Sequence, residues 1–294
     1  MTKPKPSSIN AHEDVALFRE AVRFTAAESG FVPRLIEKDY FCTALLAYLS
    51  TTAGDEMVFK GGTCLTKVHS ELYRLSEDLD YAISVSMDAS RTERSQRIDG
   101  VRSALNGLKK VIPAYRLVDA LKGANQSKQY VAVVAYESLV SQQEETIKIE
   151  ISLRELLLMP AVTGQARTLL LNPLTNRAMV PPISISSIAK TEALAEKCRA
   201  ALSRREPAIR DFYDVDHAIR KDGLQTDDRE LIDQIKHKLA IPGNEPVNVS
   251  DEKLVVLRRQ LESQLRPVLR EKDFADFDLD RAFKIVAEMA KAVA

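Results

Sequence analysis

Cysteine is scarce in this chain: Cys42, Cys64 and Cys198 are scattered through 294 residues and odd in number. That pattern excludes a disulfide framework and fits no zinc-ligand spacing. The four histidines, His12, His69, His217 and His237, form no metal-binding run either. Long apolar runs are missing. No segment approaches the roughly 18 uncharged apolar residues of a membrane helix, and Met1 to Ser8 lack a signal peptide's apolar core, so a cytoplasmic protein with no membrane partner is expected. Net charge is zero, with 42 Lys and Arg against 42 Asp and Glu. This argues against a surface that coats nucleic acid broadly, but not against a local basic groove. A Walker-type Gly-x-x-x-x-Gly-Lys-Ser/Thr loop is absent, as are internal repeats and low-complexity tracts.

With 45% hydrophobic and 29% charged residues, the chain can bury one large core or two. The most informative stretch is Lys60-Gly61-Gly62-Thr63 followed by Arg74-Leu75-Ser76-Glu77-Asp78-Leu79-Asp80. Met57-Val58-Phe59 reads as a short buried strand, after which two glycines let the backbone turn sharply and approach a ligand. Thr63 is expected to cap a helix over 63–73, in which Leu65, Val68 and Leu72 form the apolar stripe. An anion suits the free N–H groups of Gly61, Gly62 and Thr63 at such a helix start.

The next strand, from Asp78 to Val85, sends Leu79, Tyr81, Ile83 and Val85 to one face and Asp78 and Asp80 to the other. Two carboxylates on one face resist joint ionisation unless a cation offsets them. Mg²⁺ takes hard oxygen ligands and keeps room for substrate phosphates, which suits two carboxylates opposite a triphosphate. Solvated aspartates at a strand end are the bland alternative. A two-metal phosphoryl-transfer site needs a third carboxylate, and Glu150 is the best candidate. It lies in Thr146-Ile147-Lys148-Ile149-Glu150-Ile151-Ser152, where isoleucines alternate with polar residues and Lys148 shares the face of Glu150. A surface ion pair would explain Glu150 equally well by itself.

Further along, Leu194, Cys198, Ala201 and Leu202 form the core stripe of a helix, while Lys190, Ala193, Lys197, Ala200 and Arg204 follow another line. Methyls between long cations leave space for a bulky anion, and Lys197 is the candidate for the triphosphate, with Arg204 and Arg205 behind it. An ordinary solvated face remains open. Pro207 separates this helix from the next, which Asp211 is expected to open as a cap. Arg259, Arg266 and Arg270 make a second basic face on a C-terminal helix, diluted by Glu262 and Glu271.

The phrases Gly-Gly-Thr and Ser-x-Asp-Leu-Asp together resemble the polymerase-β-like nucleotidyltransferases, specifically the AbiEii/MenT type. Ile36-Glu37-Lys38-Asp39-Tyr40, Val58 to Thr63, and Thr191-Glu192 through Lys197 to Arg210-Asp211-Phe212-Tyr213-Asp214 resemble that family's successive signatures, over about residues 31 to 220. The resemblance implies an enzyme that moves a nucleotide from an NTP to an acceptor, with Mg²⁺ at Asp78 and Asp80, acting as the toxin of a toxin–antitoxin pair. It also implies an active-site role for the aspartate at Asp211, with Asp214 the alternative, either orienting the basic helix or accepting a proton. The implied acceptor is RNA, most simply a tRNA 3′ hydroxyl, and the implied partner is an antitoxin that can act without a stable complex. Transfer to a protein or a small molecule such as an antibiotic is chemically equal, and a non-enzymatic binding protein is a third reading.

The expected fold is α+β. A nucleotidyltransferase lobe with a mixed sheet, residues 1–182, begins with helices at 11–29 and 33–50 and holds a polar helix near 89–111 and strands near 130–136 and at Glu150. Pro181-Pro182 is the expected boundary, and 183–294 an α-helical lobe, the active site lying between the two. The preferred base, the acceptor and the oligomeric state are not legible in the sequence.

Overall fold

The computed structural model describes residues 9–86, 88–154 and 156–294. Met1 to Ser8, the start without an apolar signal core, lie outside them. The chain divides into two units, Met1–Ile188 and Ala189–Ala294.

Two helices open the first unit, α1 (Val15–Ser29) and α2 (Pro33–Thr52). Proline in the first turn suits α2, because its missing N–H is one that a helix start leaves unused. Every residue of α2 from Leu35 to Leu49 is buried, so its polar side chains need internal partners. Those partners explain the Glu37-Lys38-Asp39-Tyr40 signature. Glu37 accepts from Ser138 Oγ and from Leu139 N at 2.6 Å, and Lys38 bridges Glu77 at 2.9 Å and Glu145 at 3.4 Å. Asp39 takes the buried ammonium of Lys67 on one oxygen and Thr168 Oγ1 and Leu169 N on the other. Tyr40 Oη meets His12 Nδ1 at 2.8 Å.

Seven strands form one mixed sheet among the described residues: β1 (Met57–Lys60), β2 (Leu79–Ile83), β3 (Tyr115–Ala124), β4 (Gln129–Glu137), β5 (Glu144–Ser152), β6 (Val162–Ala166) and β7 (Ile183–Ser187). Their order is β3-β4-β5-β2-β1-β7-β6. β2 runs antiparallel to β1 and parallel to β5, and β7 runs parallel to β1. Ile147, Ile149 and Ile151 are fully buried on one face of β5, as the alternation requires. Phe41 of α2 stacks on Tyr136 of β4 at 3.9 Å and accepts the Tyr115 hydroxyl on its carbonyl. Since β7 pairs with β1 and β6, residues 183–187 belong to the first unit, and the chain divides after Ile188 where the sequence suggested Pro182.

The helix expected over 63–73 is shorter and earlier. It starts at Gly61 as α3 (Gly61–Cys64), continues as a π-helical turn over Leu65–His69 and stops there. Lys60 occupies the capping position. Thr63 is not a cap; its hydroxyl donates to the Asp78 carbonyl. That tie folds the segment back towards β2, with Leu72 at φ 50, so the apolar period ends before Leu72. The polar helix near 89–111 is two helices, α4 (Arg91–Arg97) and α5 (Asp99–Val111).

The second unit is helical: α6 (Lys190–Ser203), α7 (Ile209–Asp222), α8 (Arg229–Leu239), α9 (Asp251–Gln260), α10 (Glu271–Asp276) and α11 (Leu279–Val293). Leu194, Cys198, Ala201 and Leu202 are buried as predicted. Phe212 of α7 stacks on Phe283 of α11, and Lys238 of α8 reaches Glu192 and Glu196 of α6 at 2.7 and 3.3 Å. Among the described residues no helix is long and apolar enough to cross a membrane.

Candidate nucleotidyltransferase site

In the first unit the central strands bring the candidate residues together. Asp80 is the register partner of Lys60 across β1 and of Glu150 across β5. Side chains of register partners leave the same face, so Lys60, Asp80 and Glu150 stand abreast over three neighbouring strands about 4.8 Å apart. Asp78 and Lys148 belong to the adjacent row by the period of two. Asp78, Asp80 and Glu150 are all half-buried, open enough to meet a solvated ligand.

Both glycines of the turn are explained by what lies against them. Gly61 adopts φ 74, and a Cβ there would fall 2.2 Å from Asp80 Oδ2. A Cβ on Gly62 would fall 2.6 Å from Nη2 of the buried Arg74 and 3.4 Å from Ser76 Oγ. A helix that opens at Gly61 leaves the N–H groups of Gly61, Gly62 and Thr63 without intrahelical acceptors, beside the Asp80 carboxylate. Arg74 was not singled out as a site residue by sequence reasoning. Its position twelve residues past Gly62 carries no periodic signal that would link them.

Glu150 already holds a cation. Lys148 Nζ lies 3.0 Å from Glu150 Oε2. Burial pulls the Lys148 pKa down, but the hydrogen bond to Glu150 and the charges of Glu150, Asp78 and Asp80 outweigh it, so the ammonium titrates above the ordinary lysine range. Among the described residues no three His, Cys, Asp or Glu side chains converge closely enough, as they stand, to form a metal cage. The donor set still fits Mg²⁺ chemically: carboxylate oxygens only, two of them register partners, with an ammonium already drawn to their charge.

In the second unit the line of cations on α6 meets carboxylates of α7. Lys190 pairs with Asp222 at 3.0 Å, Lys197 with Asp211 at 2.9 Å and Asp214 at 3.0 Å, and Arg204 with Asp211 at 3.0 Å. The partners descend along α7 as the cations ascend along α6, forming an ion-pair seam between antiparallel helices. Asp211 sits in the first turn of α7 rather than capping it. Burial would raise its pKa, but Lys197 and Arg204 hold it below the usual carboxylate range. A buried, ionised carboxylate engaged by two cations orients them and is a poor proton acceptor. Lys197 pairs with Asp214 as closely as with Asp211. On the second basic face Arg266 pairs with Glu262 and Glu271, and Arg270 with Asp273.

The family model for the nucleotidyltransferase AbiEii toxin of type IV toxin–antitoxin systems matches residues 44–288. Among proteins of curated function none matches. Of solved structures, the nucleotidyltransferase toxin MenT4 from Mycobacterium tuberculosis is similar at TM-score 0.56 and 18% identity, over 94% of this chain and 99% of that one. JHP933 from Helicobacter pylori is similar at TM-score 0.47 and 18% identity, over 88% of each chain. With the family model spanning most of its length, and the mixed sheet carrying the Gly-Gly-Thr turn beside Asp78 and Asp80, this chain belongs to the AbiEii nucleotidyltransferase toxin family.

Proposed function

We propose that this nucleotidyltransferase moves a nucleoside monophosphate from an NTP to the 3′ end of an RNA, tRNA being the simplest acceptor, and that Mg²⁺ serves the reaction. The observation that carries the reading is the placement of Asp80 between Glu150 and the Gly61 turn. Asp78, Asp80 and Glu150 would hold the metal, which supplies charge neutralisation at the phosphates and a more acidic acceptor hydroxyl. The backbone N–H groups of Gly61, Gly62 and Thr63 bind phosphate oxygens. Lys197, fixed by Asp211 and Asp214, is the proposed triphosphate contact, with Arg204 assisting. The acceptor oxygen bonds to the α-phosphorus, the α–β bridging bond breaks, pyrophosphate leaves and the hydroxyl proton passes to solvent.

Incubation with each labelled NTP and either total RNA or total protein tests the acceptor. Label in RNA, lost with Asp80→Asn and falling steeply with added salt, is expected, since phosphate contacts release counterions. Label in protein or in a small molecule but never in RNA would replace the RNA reading with one of those acceptors. An antitoxin partner follows from the family, and the reading does not require a stable complex with it.

A further inference from the structure

We infer that Lys148 is a tethered surrogate for the site's divalent cation: its ammonium holds Glu150 when no metal is bound and must be displaced from it when one arrives. The inference rests on the metal-binding reading of Asp78, Asp80 and Glu150 proposed above.

Its basis is the geometry of β2 and β5. Lys148 and Glu150 are two residues apart on one strand, so their side chains leave the same face, and Lys148 Nζ reaches Glu150 Oε2 at 3.0 Å. Glu150 is the register partner of Asp80, and Ile149 of Leu79. Continuing that parallel register by one residue sets Asp78 beside Lys148. The ammonium is therefore bound to Glu150, whose register partner is Asp80, and its charge offsets part of the repulsion along that row. A divalent ion and the ammonium compete for the same negative charge, and Glu150 cannot give its Oε2 fully to both.

Displacement is cheap. The Lys148 side chain is 44% exposed, so its ammonium can swing into water without leaving a buried charge unpaired. A merely solvated ion pair elsewhere on the sheet would leave metal affinity untouched. A surrogate cation lowers that affinity and keeps the carboxylate row intact between turnovers.

The test is Mn²⁺ binding to the purified full-length protein, read from the electron paramagnetic resonance of free Mn²⁺, for wild type, Lys148→Met, Lys148→Arg and Asp80→Asn. Lys148→Met is expected to bind Mn²⁺ about tenfold more tightly than wild type, because one screened positive charge has left the site. Lys148→Arg, which keeps the charge, should bind like wild type, and Asp80→Asn should lose the site. Equal or weaker binding by Lys148→Met, or equal tightening by Lys148→Arg, with binding still dependent on Asp80, overturns the surrogate role and leaves the metal site standing. Mn²⁺ binding indifferent to Asp80→Asn, or no binding to any form, overturns the metal site and the surrogate role together.

Discussion

A side chain on Gly61 and the carboxylate of Asp80 cannot coexist: a Cβ at Gly61 would lie 2.2 Å from Asp80 Oδ2 and 2.8 Å from Asp80 Cβ. The glycine also sits at φ 74, where an L-residue is strained by about 1–2 kcal/mol. Gly61→Ala is therefore expected to lower the melting temperature by a few degrees while pushing Asp80 off its position. Nucleotide transfer should fall at least about tenfold, which needs only about 1.4 kcal/mol at the transition state. Initial rates beside a thermal melt check this. Full activity in a stably folded Gly61→Ala protein would remove the turn from the active site.

The ion-pair seam of α6 and α7 changes how Lys197 must be tested. Lys197→Ala takes from the buried Asp211 and Asp214 a cation that both engage, a loss of about 3–5 kcal/mol when a buried pair is broken from one side. The single variant should melt early, whatever its catalytic role. Combining it with Asp214→Asn removes the surplus negative charge and should recover most of the stability. The double variant then reports on the nucleotide: a raised KM for NTP is expected if Lys197 meets the triphosphate. A wild-type KM in the folded double variant would make Lys197 structural only.

Acid stability follows from the same cluster. The folded pKa of Asp211 lies below its unfolded value, so its ionised form stabilises the fold at any pH above the unfolded pKa of about 4. That contribution drains away as pH falls from about 4 through the lower, folded value. Asp211→Asn should be less stable than wild type at neutral pH, and the gap should narrow as pH drops below about 4. Chemical denaturation at a series of pH values measures it, and a gap that stays constant through this range would contradict the assigned pairing.

Strand alternation made the carboxylate row legible in the sequence, because a period of two fixes which side chains share a face regardless of tertiary context. It placed Asp78 with Asp80, and Glu150 with Lys148, before any fold was known. Periodicity could show that Lys190, Lys197 and Arg204 share a line, but not what the line faces, and α7 turned out to supply Asp222, Asp214 and Asp211. The partners of Glu37 and Asp39 lie about 28 to 130 residues away, beyond the reach of any local pattern. The strands that escaped notice each lack a clean signal. β3 is a largely exposed edge strand with register shifts, and β7 is only five residues long. β6 carries Gly164, where a Cβ would meet Val68 Cγ1 at 2.3 Å. The early end of the helix at His69 depends on the Thr63 hydroxyl tie to Asp78, which no apolar stripe records.

Membership of a toxin family predicts a cellular effect that the same chemistry in a housekeeping enzyme would not produce. Induction of the wild-type protein in a bacterial host without its antitoxin is expected to arrest growth. Asp80→Asn keeps the side-chain volume but removes a charge that the proposed metal site needs, so transfer should fall about a hundredfold or more with the melting temperature nearly unchanged. Cells making that variant at equal abundance should grow normally. The link from chemistry to arrest is then testable within one host, by comparing growth curves with the transfer activity of each purified protein. Normal growth of cells rich in demonstrably active wild-type enzyme would leave the transfer chemistry in place and remove the toxic role. Arrest by the inactive Asp80→Asn variant would separate toxicity from nucleotide transfer altogether.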